Sequence, residues 1–306
     1  MTELLQFFEK IERDMPDNCL ALFFSHRNIR KGIYISHQPV VGNDVQHAII
    51  KTIIPYIKQQ LSQNTSTSYN PMGVLDGYIE KMDKAMISAT DTFFDSIAED
   101  RVYRDLSTLK VDQIGFYCTK IQYNEETVYV FRQFQKLKKL RNGFFSQIFD
   151  AELRVIENDI IGIDQISDII IFEGNLYLLN HIALERVFNY RDEFHRKTDE
   201  AIQVIGEKDI ITNLEQFSTD CLNDVRIMKR FTALMSNGRL PLFFEHYDRV
   251  PGIVARLRLD IDFDEQGKLQ YRDKSQLFHI VNLFSDAYFQ SLLADRTGVA
   301  LVEGDI

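Results

Sequence analysis

The chain has 306 residues, of which 45% are hydrophobic and 26% are charged, and its formal net charge is -10 at pH 7. This apolar content supports a packed core, so the composition excludes a wholly disordered chain and predicts one large or two modest domains. No apolar run reaches the roughly 18 to 20 residues of a membrane helix, and the first residues lack a secretion signal. The three cysteines lie far apart, which fits neither a zinc site nor a disulfide framework. We therefore expect a cytoplasmic protein.

The first third of the chain mixes helical and strand patterns. Apolar residues recur at three- and four-residue steps in some segments, and in others they form short buried runs. An N-terminal α/β module is therefore predicted at residues 1–108. The pattern predicts helices over residues 2–14, 43–61 and 75–99, and strands at Cys19–Phe24 and Ile33–Ser36.

The middle of the chain has strong strand character. Ile114–Ile121 and Thr127–Phe134 are rich in β-branched and aromatic residues, which predicts a hairpin. A second hairpin is predicted within Ile161–Asn180, with its turn at Glu173-Gly174-Asn175. Ile169–Phe172 and Leu176–Leu179 are apolar at nearly every position, so both faces of this hairpin should be covered. We expect it to be the central element of the fold.

The last third is predicted to combine helices with strands. A clean polar and apolar alternation over Val254–Asp264 predicts one exposed strand there. The predicted fold class is α+β, with mixed or antiparallel sheets, packed helices and a second module at residues 109–306. Helices are predicted over about 182–204, 210–236 and 274–294.

Positive charge is gathered locally although the chain as a whole is acidic. Residues 127–149 and 225–244 contain cations and no acid, and phenylalanines interleave with the cations of the first stretch. Such a pattern is typical of a solvated basic face and equally of a nucleic-acid patch, because aromatic rings can stack bases or pack a core. The candidate phosphate-binding residues are Arg132, Lys136, Lys138, Lys139 and Arg141, followed by Arg226, Lys229 and Arg230.

Two other functions are open on sequence grounds. Asp164, Asp168 and Glu173 flank the central hairpin and could hold Mg²⁺ in a metal-dependent nuclease, although their spacing matches no nuclease motif. The chain could also be a protein-interaction scaffold whose acidic surface docks a partner and which does not bind DNA. Motifs of serine hydrolases, zinc proteases and nucleoside-triphosphate-binding loops are absent from the sequence.

The segment from about Ile114 to Phe194 resembles the KwaB-like family, the soluble subunits of the Kiwa anti-phage defence system. The resemblance rests on the first hairpin with its basic-aromatic run, on the sequence from Ile163 to Asn180, and on Leu184–Tyr190. It implies an effector that binds DNA and blocks phage replication and late gene expression. It also implies a homodimer that is recruited to the inner membrane by a KwaA-like membrane protein. No catalytic residue and no cofactor is implied.

Overall fold

The computed structural model of the chain describes residues 1–74, 76–135, 146–149, 152–155, 160–290 and 297–299. Helices and strands are mixed along these segments, which confirms the α+β class and the mixed sheets. The chain forms two compact units. Unit 1 contains Met1–Tyr69 and Leu75–Asn189, and unit 2 contains Asn70–Val74 and Tyr190–Ile306.

Unit 1 is built on a sheet that has eight strands in the described residues. They are β1 Leu20–Asn28, β2 Ile33–His37, β3 Thr65–Ser68, β4 Tyr78–Asp83, β5 Phe116–Tyr123, β6 Glu126–Gln133, β9 Ile169–Phe172 and β10 Asn175–Leu178. Their order in the sheet is β2-β1-β5-β6-β9-β10-β4-β3. Neighbouring strands are antiparallel except for β3 and β4, which are parallel. Two further strands, β7 Ser146–Phe149 and β8 Glu152–Val155, pair with each other.

Helices cover both faces of this sheet. On one face, apolar residues of the first two helices join Ile170 and Phe172 in a single core cluster. On the other face, Phe93 and Phe188 contact the ring of Phe131 at centroid distances of 5.1 and 5.2 Å. Alternate residues of a strand in this sheet therefore lie in the cores on its two faces, which explains why β9 is apolar throughout. The four helices described in unit 1 are α1 Thr2–Asp14, α2 Asn43–Gln63, α3 Ser88–Ser96 and α4 Ala183–Phe188.

The central hairpin predicted from the sequence is confirmed. Its strands β9 and β10 pair antiparallel, with Phe172 opposite Asn175, and they occupy the fifth and sixth positions of the sheet. The two residues between them, Glu173 and Gly174, have φ angles of 48° and 75°. Positive φ at both central positions is the requirement of a two-residue turn that matches the twist of the strands, and glycine adopts it without strain.

The division between the units differs from the one expected at residue 108. Strand β1 lies before that position and β5 after it, yet they pair side by side, with Leu20 opposite Ile121 and Phe24 opposite Tyr117. Six residue pairs join these two strands. A cut at residue 108 would therefore separate neighbouring strands of one sheet, and the chain instead divides after Asn189.

Unit 2 is mainly helical. Its core contains four fully buried rings, of Phe217, Phe231, Tyr271 and Phe284. Among the described residues, no helix of either unit has both the length and the apolar content for a bilayer crossing. The described helices and strands of unit 2 are α5 Arg191–Glu207, β11 Ile211–Thr212, α6 Leu214–Leu222, α7 Val225–Ser236, α8 Arg239–Glu245, α9 Val250–Leu257, β12 Asp262–Phe263, β13 Leu269–Gln270, α10 Lys274–Phe284, β14 Tyr288–Gln290 and β15 Thr297–Val299.

Three secondary-structure predictions were wrong. The helix expected over about 274–294 ends at Phe284, and Tyr288–Gln290 form the strand β14. The region expected to be helical over 75–99 contains β4 and then α3, and β4 is a strand because β10 and β3 pair with its two edges. The segment Val254–Asp264, expected to be a strand, begins inside α9 and contains only the short β12. Valines 250 and 254 are both buried, one helical turn apart, so the packing of this segment selects the helix.

His37, at the end of β2, makes the stability of unit 1 sensitive to acid. The ring is 4% exposed and stacks on Tyr103, and its Nδ1 atom has no hydrogen-bond partner among the described residues. Burial lowers the pKa of His37 below its ordinary value of 6.5, and nearby His26 lowers it further. The folded state therefore favours the neutral ring. Its contribution to stability is complete above about pH 6.5 and is lost as the pH falls towards the lower folded-state pKa.

We expect the melting temperature to fall between about pH 7.5 and about pH 5.5, and to fall less in a His37→Gln variant. Thermal unfolding at both pH values checks this expectation, with His195→Gln as the control because that ring is about half exposed on α5. A ring pKa at or above 6.5 for His37, measured by NMR titration, would contradict it.

Candidate nucleic-acid interface

The structure separates the predicted cations into three groups. Lys136, Lys138, Lys139 and Arg141 lie outside the described residues, and their assignment stays a prediction. Arg132 lies in unit 1, as the next-to-last residue of β6. Arg226, Lys229 and Arg230 lie in unit 2, on α7.

Arg132 is held by two carboxylates. Its Nε and Nη2 atoms donate to the carboxylate of Asp164 at 3.1 and 2.9 Å, and its Nη1 atom donates to both oxygens of Asp168 at 3.2 Å. The residue is only 8% exposed. Burial by itself would lower the pKa of Arg132, but the two acids outweigh it and raise that pKa above its ordinary value. This guanidinium therefore stabilises the fold, and we do not include it among the phosphate contacts.

Of the carboxylates considered for a nuclease, Asp164 and Asp168 share one partner, Arg132, and Glu173 lies apart from them. Asp168 is fully buried, and it also accepts hydrogen bonds from the backbone N–H of Gln133 at 2.7 Å and from Asn180 Nδ2 at 2.9 Å. Glu173 lies in the hairpin turn, at the opposite end of β9 from Asp168. Within the described segments, no group of three histidine, cysteine or acidic side chains is placed to hold a metal ion. Asp164 and Asp168 thus act in the described structure as partners of Arg132.

Helix α7 carries the described part of the predicted interface. Asp224 begins the helix, because its side chain accepts a hydrogen bond from the backbone N–H of Arg226 at 2.9 Å. Arg226 and Arg230 are four residues apart and so lie on the same side of the helix. The Nζ atom of Lys229 lies 5.4 Å from the centre of the Phe194 ring on α5. The prediction that these cations share one side of a helix is therefore correct for Arg226 and Arg230.

Arg230 is a buried cation without an acid. It is 9% exposed, its Nη1 atom donates to Asn282 Oδ1 at 2.6 Å, and its guanidinium lies 4.5 Å from the centre of the Phe278 ring. In the described part of the chain, no carboxylate pairs with it. Burial lowers the pKa of Arg230 from its ordinary value, and only the charge of Tyr288 opposes this. Placing a charge in such surroundings is unfavourable unless an anion joins it.

The guanidinium borders a cavity of about 450 Å³, here called the Arg230 cavity, which Arg226, Lys274 and Phe278 also line. Asp220 and Asp224 contribute the negative charge of this cavity. The other two cations are neutralised, because Arg226 contacts Asp224 at 3.0 Å and Lys274 lies 3.5 Å from Asp220. Among the residues that the structure describes, Arg230 is thus the cation of this cavity without a neighbouring carboxylate.

The arrangement suits a phosphate group. A guanidinium presents planar N–H donors that match two phosphate oxygens, and its stacking on an aromatic ring fixes the direction of those donors. Phe278 is 41% exposed, so its ring also offers apolar surface beside the cation. The sequence did not predict Lys274, Phe278 or Asn282 as site residues. They lie about 50 residues after Arg230, on α10, and only the packing of α10 against α7 brings them there.

Comparison with known proteins gives one family. The family described as Kiwa protein KwaB-like matches residues 111–294, which include the β5–β6 and β9–β10 hairpins of unit 1 and helices α5 to α10 of unit 2. No curated protein and no solved structure matches the chain. Because the family match spans more than half of the 306 residues, this chain belongs to the KwaB-like family of Kiwa proteins.

Proposed function

We propose that this chain is an anti-phage effector that binds DNA through the Arg230 cavity of unit 2. Its family places it in Kiwa anti-phage defence. In the proposed mechanism, bound DNA is withheld from replication and late gene expression, and a KwaA-like membrane protein recruits the chain, as a homodimer, to the inner membrane. Lys136, Lys138, Lys139 and Arg141 supply further phosphate contacts in this proposal.

The observation that carries the proposal is the unpaired charge of Arg230. A protein of net charge -10 repels a polyanion at long range, so DNA binding must depend on a local surplus of positive charge. The acids near Arg226 and Lys274 cancel those cations, and Arg230 supplies the surplus. A phosphate diester provides the missing counter-ion, and the exposed ring of Phe278 can contact the sugar or base beside it.

An Arg230→Gln variant separates this role from a structural one. We expect its affinity for DNA to fall about 10- to 100-fold, because a charge-assisted contact is lost. We also expect the dependence of the logarithm of the binding constant on the logarithm of the salt concentration to weaken by about 0.9 for each lost phosphate contact. Thermal stability should be retained, since removing a buried cation that has no acid also removes a cost to folding. Fluorescence anisotropy with a labelled oligonucleotide at two salt concentrations measures both quantities.

The matched control is Arg258→Gln. Arg258 is likewise an arginine of unit 2, but it is exposed and does not line the Arg230 cavity. Its replacement lowers the net charge by the same amount and reports the long-range electrostatic effect alone. Equal affinities of the two variants would contradict the proposed role of Arg230. An absence of DNA binding by the unaltered chain would favour the scaffold hypothesis instead.

A further inference from the structure

Among the described residues, the cation of the Arg230 cavity that has no neighbouring carboxylate is also the least exposed one. The side chains of Arg226 and Lys274 are 87% and 68% exposed, whereas Arg230 is 9% exposed. Both exposed cations already have an acid, because Arg226 contacts Asp224 and Lys274 lies near Asp220. A ligand that stays on the outer surface therefore meets paired cations, and only a group that enters the cavity reaches Arg230.

Part of the wall of this cavity is apolar. The side chains of Ile227 on α7, of Leu277 and Phe278 on α10, and of Met72 line it. The ring of Phe278 is 41% exposed, and its centre lies 4.5 Å from the guanidinium of Arg230. A ligand that fills the cavity must therefore combine an anion with a body that has an apolar face.

These features distinguish the two forms of DNA. A duplex presents its phosphates on a convex surface and keeps its bases stacked inside, so it offers no partner to the apolar wall. A single strand can turn one base into the cavity and place that base against an aromatic ring while its phosphate contacts the cation. The volume of about 450 Å³ lies within the usual range of about 300–1,000 Å³ for sites that enclose one small molecule. A duplex must first unstack a base to make the same contacts, which weakens its binding.

We propose that the Arg230 cavity selects single-stranded DNA by taking up one unstacked nucleotide, with the base against Phe278 and the phosphate on Arg230. This inference rests on the proposed function and names the form of DNA that the site binds. The cavity holds one phosphate, because Arg226 and Lys274 already pair with acids. Single strands are exposed wherever DNA is being replicated, so this selection connects the site with the replication step of the proposed function.

Fluorescence anisotropy of the full chain with labelled probes of equal length tests the proposal. The probes are a single strand without self-complementarity, its duplex, and an abasic single strand that keeps every phosphate. We expect the intact single strand to bind about tenfold more tightly than the duplex, because the duplex must unstack a base. It should exceed the abasic strand by a similar factor, because stacking on an aromatic ring needs a base. Equal binding of the single strand and the duplex would overturn the proposal, as would equal binding of the intact and abasic strands.

A Phe278→Leu variant locates the base. It keeps an apolar side chain beside Arg230 but removes the aromatic ring, so affinity for the intact single strand should fall about fivefold or more, towards that of the abasic strand. Affinities for the abasic strand and the duplex should not change. Phe289→Leu is the matched control, because Phe289 is a 53% exposed phenylalanine of unit 2 that does not line the Arg230 cavity. Equal affinities of the two variants for the intact single strand would contradict the placement of the base.

The outcomes separate this inference from the proposed function. If the duplex and the single strand bind equally and Arg230→Gln weakens both by the same factor, the DNA site stands and the selection of single strands is wrong. If the single strand binds more tightly but Arg230→Gln leaves that preference intact, the preference arises outside the Arg230 cavity and the inference is wrong. If neither form of DNA binds, the proposed function falls and this inference falls with it.

Discussion

Replacing Asp168 with alanine is expected to lower the free energy of unfolding of unit 1 by about 3–5 kcal/mol. Asp168 is fully buried and accepts hydrogen bonds from Arg132, from the backbone of Gln133 and from Asn180. Its loss leaves the guanidinium of Arg132 in the interior with only the partly exposed Asp164 as a partner. Two uncharged donors lose their acceptor as well. Chemical denaturation, followed by circular dichroism, measures the change.

The matched control is Asp164→Ala, which removes the other carboxylate of Arg132. The side chain of Asp164 is 46% exposed, so water can replace it and we expect a loss of about 1 kcal/mol. A double variant, Arg132→Leu with Asp168→Leu, should be more stable than Asp168→Ala alone, because no charge is then left in the interior. Equal losses for the two single acidic variants would refute the claim that burial gives Asp168 its importance.

Phe93→Ala should destabilise unit 1 by a similar amount, about 3–5 kcal/mol. The Phe93 ring is fully buried on α3, where it touches rings on three strands and on α4. Truncation leaves a cavity that these neighbours cannot fill, since strands and helices hold them from several directions. The contacting rings are those of Tyr34, Phe94, Phe116, Phe131 and Phe188.

The adjacent residue provides the comparison. Phe94 is only partly buried and packs against Tyr129, with the ammonium group of Lys84 over its ring. Phe94→Ala removes the same number of atoms from the same helix, but water can enter the space, so the expected loss is about 1–2 kcal/mol. Denaturation curves of the two variants check the difference. A larger effect at Phe94 would show that the centre of this aromatic cluster lies elsewhere.

Local patterns predicted the central hairpin because both of its requirements are local. Two apolar runs and a turn with a glycine lie within 20 residues, and no distant segment is needed to recognise them. Strand β4 was missed for the opposite reason. Its sequence Tyr78–Asp83 contains charged and helix-favouring residues, and it is a strand because β10, about 95 residues later, pairs with it.

In the candidate site, too, the sequence predicted the local arrangement but not the contacts with distant segments. The four-residue spacing of Arg226 and Arg230 predicts a shared side of α7, and the structure confirms it. The contrast between the two arginines was not predictable. Arg226 has an acid two residues before it, whereas Arg230 is covered by Phe278 and Asn282 from a helix some 50 residues away. Whether a cation is neutralised depends on these distant neighbours, and composition does not report them.

The position of β3 and β4 beside β10 has a consequence for synthesis of the protein. These two strands are translated early, at residues 65–83, but the edge that receives them is completed only at Leu178. A nascent chain leaving the ribosome must therefore carry β4 without its partner β10 until more than half of its length has been made. Contacts between such distant segments slow folding and leave strand edges open to other chains. Cotranslational chaperones that shield exposed strands should consequently increase the yield of this protein.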